Sequence, residues 1–117
     1  IERARRYPEE PYRIISKGLE ERSFCYIDDA IDATIKMTEE LSSSNSIGPL
    51  NIGKQEKISI KDLAILIKDI INPDMEFTID EQIQANIMCQ WCDCSRIKRE
   101  IGWEATTSLK EGIKKIV

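Results

Sequence analysis

Apolar residues recur at spacings of three and four in some stretches of this chain and alternate with polar ones in others, the mark of helices mixed with short strands. The opening Ile1-Glu-Arg-Ala-Arg-Arg-Tyr7 reads as a helical stub. It has no initiator Met and no capping residue before it, so a cut end and a longer parent protein are expected. Pro8 and Pro11 bracket an acidic turn, and Tyr12-Arg-Ile-Ile-Ser16 has the β-branched character of a strand. Past the loop at Gly18, Arg22-Ser-Phe-Cys-Tyr-Ile27 reads as a second strand, followed by Asp28 and Asp29 as N-cap and first-turn acid of a helix. Ala30, Ala33 or Thr34, Met37 and Leu41 form one face of that helix, which ends in the loop Ser42-Ser-Ser-Asn-Ser46.

The second half starts with an extended Pro49-Leu-Asn-Ile52, Gly53 and a polar turn. Ser59-Ile-Lys-Asp62 forms a variant capping box with Asp in place of the usual Glu, launching a helix whose buried stripe is Ile60, Leu63, Ala64, Ile67 and Ile71. Asn72-Pro73 stops it, because proline cannot continue the backbone ladder. Met75-Glu-Phe-Thr-Ile79 alternates like a half-buried strand, and residues 80–91 read as a loop facing whatever the domain binds. Asp93-Cys-Ser95 caps a short helix through Ile101, with Gly102 in the left-handed C-terminal position and Trp103 docking on the core. Ser108-Leu-Lys-Glu111 is a full capping box for a last helix carrying Leu109, Ile113 and Ile116.

Composition narrows the chemistry. At 117 residues the chain holds one domain and one core is expected, mostly aliphatic because only seven residues are aromatic. A net charge of −4 argues against a general nucleic-acid binder, which needs excess Lys and Arg to displace counterions. No apolar run approaches the roughly 20 residues of a membrane span, so no membrane partner and a cytoplasmic location are expected. The absence of His excludes His-based acid/base catalysis.

Three constellations remain. Cys89-Gln-Trp-Cys92-Asp-Cys94 packs three thiols into six residues, and zinc would need a fourth ligand from Cys25, Asp93 or another chain. Reduced thiols packed as small hydrophobes are the simpler reading. Asp28, Asp29 and Asp32 could act as paired carboxylates, although their place at a helix start explains them more cheaply. Arg22 begins a strand directly after a glycine loop, where a guanidinium could grip a diphosphate through two parallel hydrogen bonds. A solvated surface arginine is the alternative. No Gly-x-Gly-x-x-Gly, phosphate loop or Tyr-x-x-x-Lys occurs, so the chain alone is expected to be catalytically inert.

Three segments occur in order: Gly18 to Asp29; Leu50-Asn-Ile-Gly53 with Ser59 to Ala64; and Asp93 to Trp103 with Ser108 to Ile113. Together they resemble the C-terminal region of the extended short-chain dehydrogenase/reductases, the NAD-dependent nucleotide-sugar epimerases and dehydratases. The resemblance implies a small mixed α/β substrate-binding domain over residues 1–117, with the Rossmann half, its NAD(P) and its catalytic Tyr and Lys lying in the parent protein. The chain itself would hold no cofactor and no metal. The implied partners are a nucleotide-sugar substrate and that N-terminal Rossmann domain, against which exposed aliphatic surface of this chain would pack.

At the level of residues, the resemblance puts Arg22 on the substrate diphosphate and Ile14 and Ile15 beside the nucleotide base, where relatives often have an aromatic at the second position. Relatives usually also carry arginines before the Asp-x-Ser motif, whereas residues 83–92 here hold no positive charge. One lost charge-assisted contact costs on the order of 1.5–3 kcal/mol. The competing reading is a noncatalytic degenerate relative serving as a partner-binding or Cys-rich metal-binding module.

Overall fold

The computed structural model describes residues 1–41 and 48–117, and the predicted serine loop lies outside the described residues, as does the side chain of Leu41. The elements in order are α1 (Glu2–Arg5), β1 (Tyr12–Ile14), β2 (Glu21–Ser23), α2 (Ile27–Leu41), β3 (Lys57–Ser59), α3 (Ile60–Ile71), β4 (Phe77–Ile79), β5 (Cys89–Gln90), α4 (Ser95–Ile101) and α5 (Leu109–Ile116). The expected mixed α/β class holds.

Helix starts follow local chemistry. Ser108 Oγ accepts from Glu111 N–H at 3.2 Å while the Glu111 carboxylate accepts from Ser108 N–H at 2.9 Å, so α5 has the complete capping box. At α3, Ser59 Oγ accepts from Asp62 N–H at 3.0 Å, but Asp62 returns to the Ser59 hydroxyl at 2.6 Å rather than to its backbone. Asp is one methylene shorter than Glu, which accounts for the altered return contact. α2 starts two residues earlier than expected, at Ile27, so Asp28 and Asp29 both occupy its first turn and neither is the N-cap. The N-cap of α4 is Cys94, which makes no side-chain cap, and Asp93 just before it takes Ser95 N–H at 2.9 Å instead. Gly102, at φ 66°, closes α4 in the left-handed region that glycine tolerates.

The strands are shorter than the alternation implied. β1 ends at Ile14 because Ser16 turns inward, its Oγ accepting from Gly18 N–H at 3.1 Å. β2 ends at Ser23, leaving residues 24–26 as a connection into α2. β1 and β4 pair in parallel, Tyr12 opposite Phe77 and Ile14 opposite Ile79. A second sheet has the order β3-β2-β5, with β2 antiparallel to β3 and parallel to β5. Neither β3 nor the two-residue β5, inside the expected 80–91 loop, is visible as sequence periodicity.

The buried residues form two clusters, not the single core expected from chain length. One joins Ala33 of α2 and Ile97 of α4 with Cys94, Trp103 and Ala105. The other joins Ala4, Ile67, Met75 and Ile113, beneath α1, α3 and α5. The molecule is a slab of 55 × 30 × 16 Å, and its radius of gyration of 17.4 Å compares with about 13 Å for a compact chain of this length. A helix with its side chains is about 10–12 Å thick, so a 16 Å slab has little depth for one shared core. Much apolar surface is therefore left outside. On α2, Ile27, Ile31 and Ile35 are 60%, 51% and 53% exposed and recur every four residues, making one bare stripe on the side away from Ala33. Among the described residues no helix is long and apolar enough to cross a membrane.

Candidate functional site

β2 is the middle strand of its sheet, and this places Arg22 between Ile58 of β3 and Gln90 of β5. Its guanidinium donates from Nη1 to the Glu21 carbonyl at 2.7 Å and from Nη2 to the Ile87 carbonyl at 3.0 Å. Both acceptors are main-chain oxygens. No ion pair among the described residues involves Arg22, so its charge is uncompensated by a carboxylate. A guanidinium has five N–H donors, so donors remain for a ligand. The side chain lines a hollow of about 500 Å³ together with Phe24, Gly53, Gln90, Trp91 and Cys92.

The first two ordered segments line this hollow together with residues 90–92, and specific polar contacts tie them to the third segment, which begins at Asp93. Asn51 Nδ2 donates to the Asp93 carbonyl at 3.0 Å, and Gln55 Nε2 donates to Asp93 Oδ1 at 3.3 Å. Gly53 lies so close to Cys92 that a Cβ added to it would sit 2.9 Å from the Cys92 Cβ. The glycine of Leu50-Asn-Ile-Gly53 is thus required by close approach. Asp29 ties the first segment to the last, accepting from Thr107 N–H at 2.9 Å, from the Thr107 hydroxyl at 3.2 Å and from the Thr106 hydroxyl at 3.3 Å. Burial alone would raise the Asp29 pKa, but these hydrogen bonds outweigh it and hold the carboxyl below its ordinary value. Asp32 accepts the Trp103 indole N–H at 3.1 Å. Asp29 and Asp32 therefore fasten α2 to the segment around residues 103–107.

Ile14 and Ile15 belong to a different hollow, of about 460 Å³, also lined by Tyr12, Ser16, Glu20 and Ile60. Ile14 is buried and Ile15 is 66% exposed. Glu20, which the sequence reading did not single out, is buried there with the Ser16 hydroxyl donating to it at 2.5 Å. Arg22 does not line this hollow, but it lies two residues from Glu20, a step of about 7 Å along an extended chain. Glu20 and Arg22 thus link the two hollows through a short stretch of chain.

Cys25, Cys92 and Cys94 approach one another beside the α2–α4 cluster. Among the described residues no set of three or more His, Cys, Asp or Glu is arranged to hold a metal ion. Burial, followed by contact with Cys92, pushes the Cys94 pKa up to about 12, and burial also raises that of Cys25. Protonated thiols are poor nucleophiles and poor ligands. These two pack as small hydrophobes. Trp91 and Gln90, beside Arg22, were missed as site residues because a segment without periodicity gives no hint of which strand it joins.

No family model matches the chain. UDP-glucuronic acid decarboxylase 3 of Arabidopsis thaliana is 34% identical over 96 residues, which are 82% of this chain and 27% of that protein. Among solved structures, UDP-glucose 4-epimerase of Thermotoga maritima with UDP-glucose superposes with a TM-score of 0.79 at 26% identity, over 95% of this chain and 35% of that one. UDP-glucuronic acid 4-epimerase of Bacillus cereus, in complex with UDP-glucuronic acid and NAD, gives 0.76 at 25% identity over the same shares. The chain thus spans about a third or less of the length of these relatives. Sequence and architecture agree, and the chain belongs to the extended short-chain dehydrogenase/reductases, the family of nucleotide-sugar epimerases and decarboxylases.

Proposed function

We propose that residues 1–117 are the substrate-binding region of an NAD(P)-dependent sugar-nucleotide epimerase, dehydratase or decarboxylase, with UDP-glucuronic acid as the first ligand to try. The observation that carries this reading is Arg22, a guanidinium without a carboxylate partner at the edge of a hollow lined by the first two family segments and by residues 90–92, just ahead of the third. It grips the diphosphate, while Ile14 and Ile15 offer the neighbouring hollow to the nucleotide base. The preference for a UDP-sugar rests on the relatives, whose names include UDP-glucuronic acid decarboxylase and UDP-glucuronate 4-epimerase. NAD(P) and the reacting groups belong to a dinucleotide-binding domain of the same protein. The chain has no glycine-rich cofactor loop and no Tyr-x-x-x-Lys of its own.

That domain also explains the bare stripe of Ile27, Ile31 and Ile35. A contiguous apolar face on a helix otherwise packed on one side calls for a covering element. Calorimetric titration with UDP-, GDP- and dTDP-sugars tests the reading, with Arg22→Ala as the control. Loss of one charge-assisted contact, about 1.5–3 kcal/mol, corresponds to roughly a 10- to 150-fold weaker complex. Absence of binding to every sugar nucleotide, or an Arg22→Ala variant that binds as well as the wild type, overturns it.

A further inference from the structure

We propose that Trp91 is the sugar-binding wall of the Arg22 hollow, stacking its indole on the pyranose ring attached to the diphosphate that Arg22 holds. The inference rests on the function proposed above and deepens it by assigning the sugar end of the ligand. The two tryptophans of the chain are in opposite situations. Trp103 is 2% exposed and spends its N–H on Asp32, whereas Trp91 is 51% exposed in the same hollow as the uncompensated guanidinium.

Trp91 is not occupied by a cation. The cation–ring contact among the described residues joins Lys115 to Tyr26, at 4.7 Å to the ring centroid. Phe24, 39% exposed, lines the same hollow, so two aromatic side chains flank one positive charge. An aromatic ring carries negative charge on its face, which suits the positively polarised C–H face of a sugar. The hydroxyls on the rim of that sugar find the Gln90 carboxamide, which both donates and accepts, at the same edge. A charged anchor with aromatic walls and a few polar groups is the usual build of a small-ligand site.

The test compares UDP-glucuronic acid with UDP on the 117-residue chain and on Trp91→Ala and Trp91→Phe. Tryptophan emission of the wild type changes on adding UDP-glucuronic acid, and that change is absent in Trp91→Phe, where buried Trp103 is the sole emitter. Trp91→Ala binds UDP-glucuronic acid at least tenfold more weakly and UDP within twofold of the wild type, while Trp91→Phe loses less. If Trp91→Ala holds UDP-glucuronic acid as tightly as the wild type, or weakens UDP equally, the sugar assignment fails and the proposed function stands. If the wild type binds no UDP-sugar, the proposed function fails and this inference with it.

Discussion

Arg22 and Gln90 are cross-strand partners, set side by side by the parallel pairing of β2 with β5 and lining the same hollow. One is a full positive charge and the other a neutral amide. The diphosphate proposed for this hollow would therefore meet a single guanidinium, and the pairing identifies where a second one would have to stand.

Gln90→Arg is expected to tighten binding of UDP, which carries the diphosphate without the sugar, about 10-fold or more, since a charge-assisted hydrogen bond is worth about 1.5–3 kcal/mol. The affinity should also become more sensitive to salt, because the added attraction is largely electrostatic. Titrations of both forms at low and physiological ionic strength check this. A variant of unchanged affinity would mean that the anion is not held at the β2–β5 edge.

Gly53→Ala is expected to destabilise the fold, because the new Cβ would lie 2.9 Å from the Cys92 Cβ, closer than such atoms approach. Forcing apart a packed contact typically costs about 1–3 kcal/mol. For a chain of this size each kcal/mol lowers Tm by roughly 4–8 °C. Cys92→Gly in the Gly53→Ala background removes the clashing atom and should restore part of the loss, so a thermal double-mutant cycle separates this clash from a general sensitivity of the loop.

How much of this was legible in the sequence depends on how local each feature is. The N-cap at Ser59, the capping box at Ser108 and the left-handed Gly102 involve residues a few positions apart, and each sits where the pattern placed it, although Asp62 does not complete the expected box at Ser59. The β2 pairings with Lys57–Ser59 and Cys89–Gln90 join distant segments, and strands of two or three residues are too short for alternation to register. The helical spacing of Ala30, Ala33 and Met37 marked the inner face of α2 correctly, with Ala33 fully buried. Ile27, Ile31 and Ile35 repeat with the same helical spacing and make a second apolar face, hidden in the sequence because Ile27 reads there as the end of the preceding strand. Which one is covered depends on packing partners, and so does the division of the buried residues into two clusters.

The carboxyl of Asp29 gives a pH dependence with a definite sign. Its folded-state pKa is held below the ordinary carboxylate value near 3.9. The unfolded chain then binds the proton more tightly, so the stabilisation is fully present above about pH 4 and is lost as pH falls through the lower folded value. Asp93 and Glu111, lowered by hydrogen bonds from Ser95 and Ser108, act in the same direction. Asp29→Ala should cost roughly 1 kcal/mol at neutral pH through its lost hydrogen bonds. The gap between variant and wild type should narrow as the pH drops below about 4, as read from urea midpoints at each pH.

The stripe of Ile27, Ile31 and Ile35 predicts how the isolated chain behaves. Three β-branched side chains, each at least 51% exposed on one line of α2, present apolar surface that water disfavours, at about 25 cal/mol per Å². With no partner domain to cover it, the surface should drive self-association, which sedimentation velocity would detect as a concentration-dependent coefficient. Ile31→Glu places a charge at the centre of the stripe, where burial against another apolar face would be costly. It should leave circular dichroism and Tm close to wild type, because Ile31 contributes nothing to either buried cluster, while shifting the chain to monomer. A variant that loses Tm as well would show that α2 packs through that face within the chain itself, and the stripe would cease to be a docking surface.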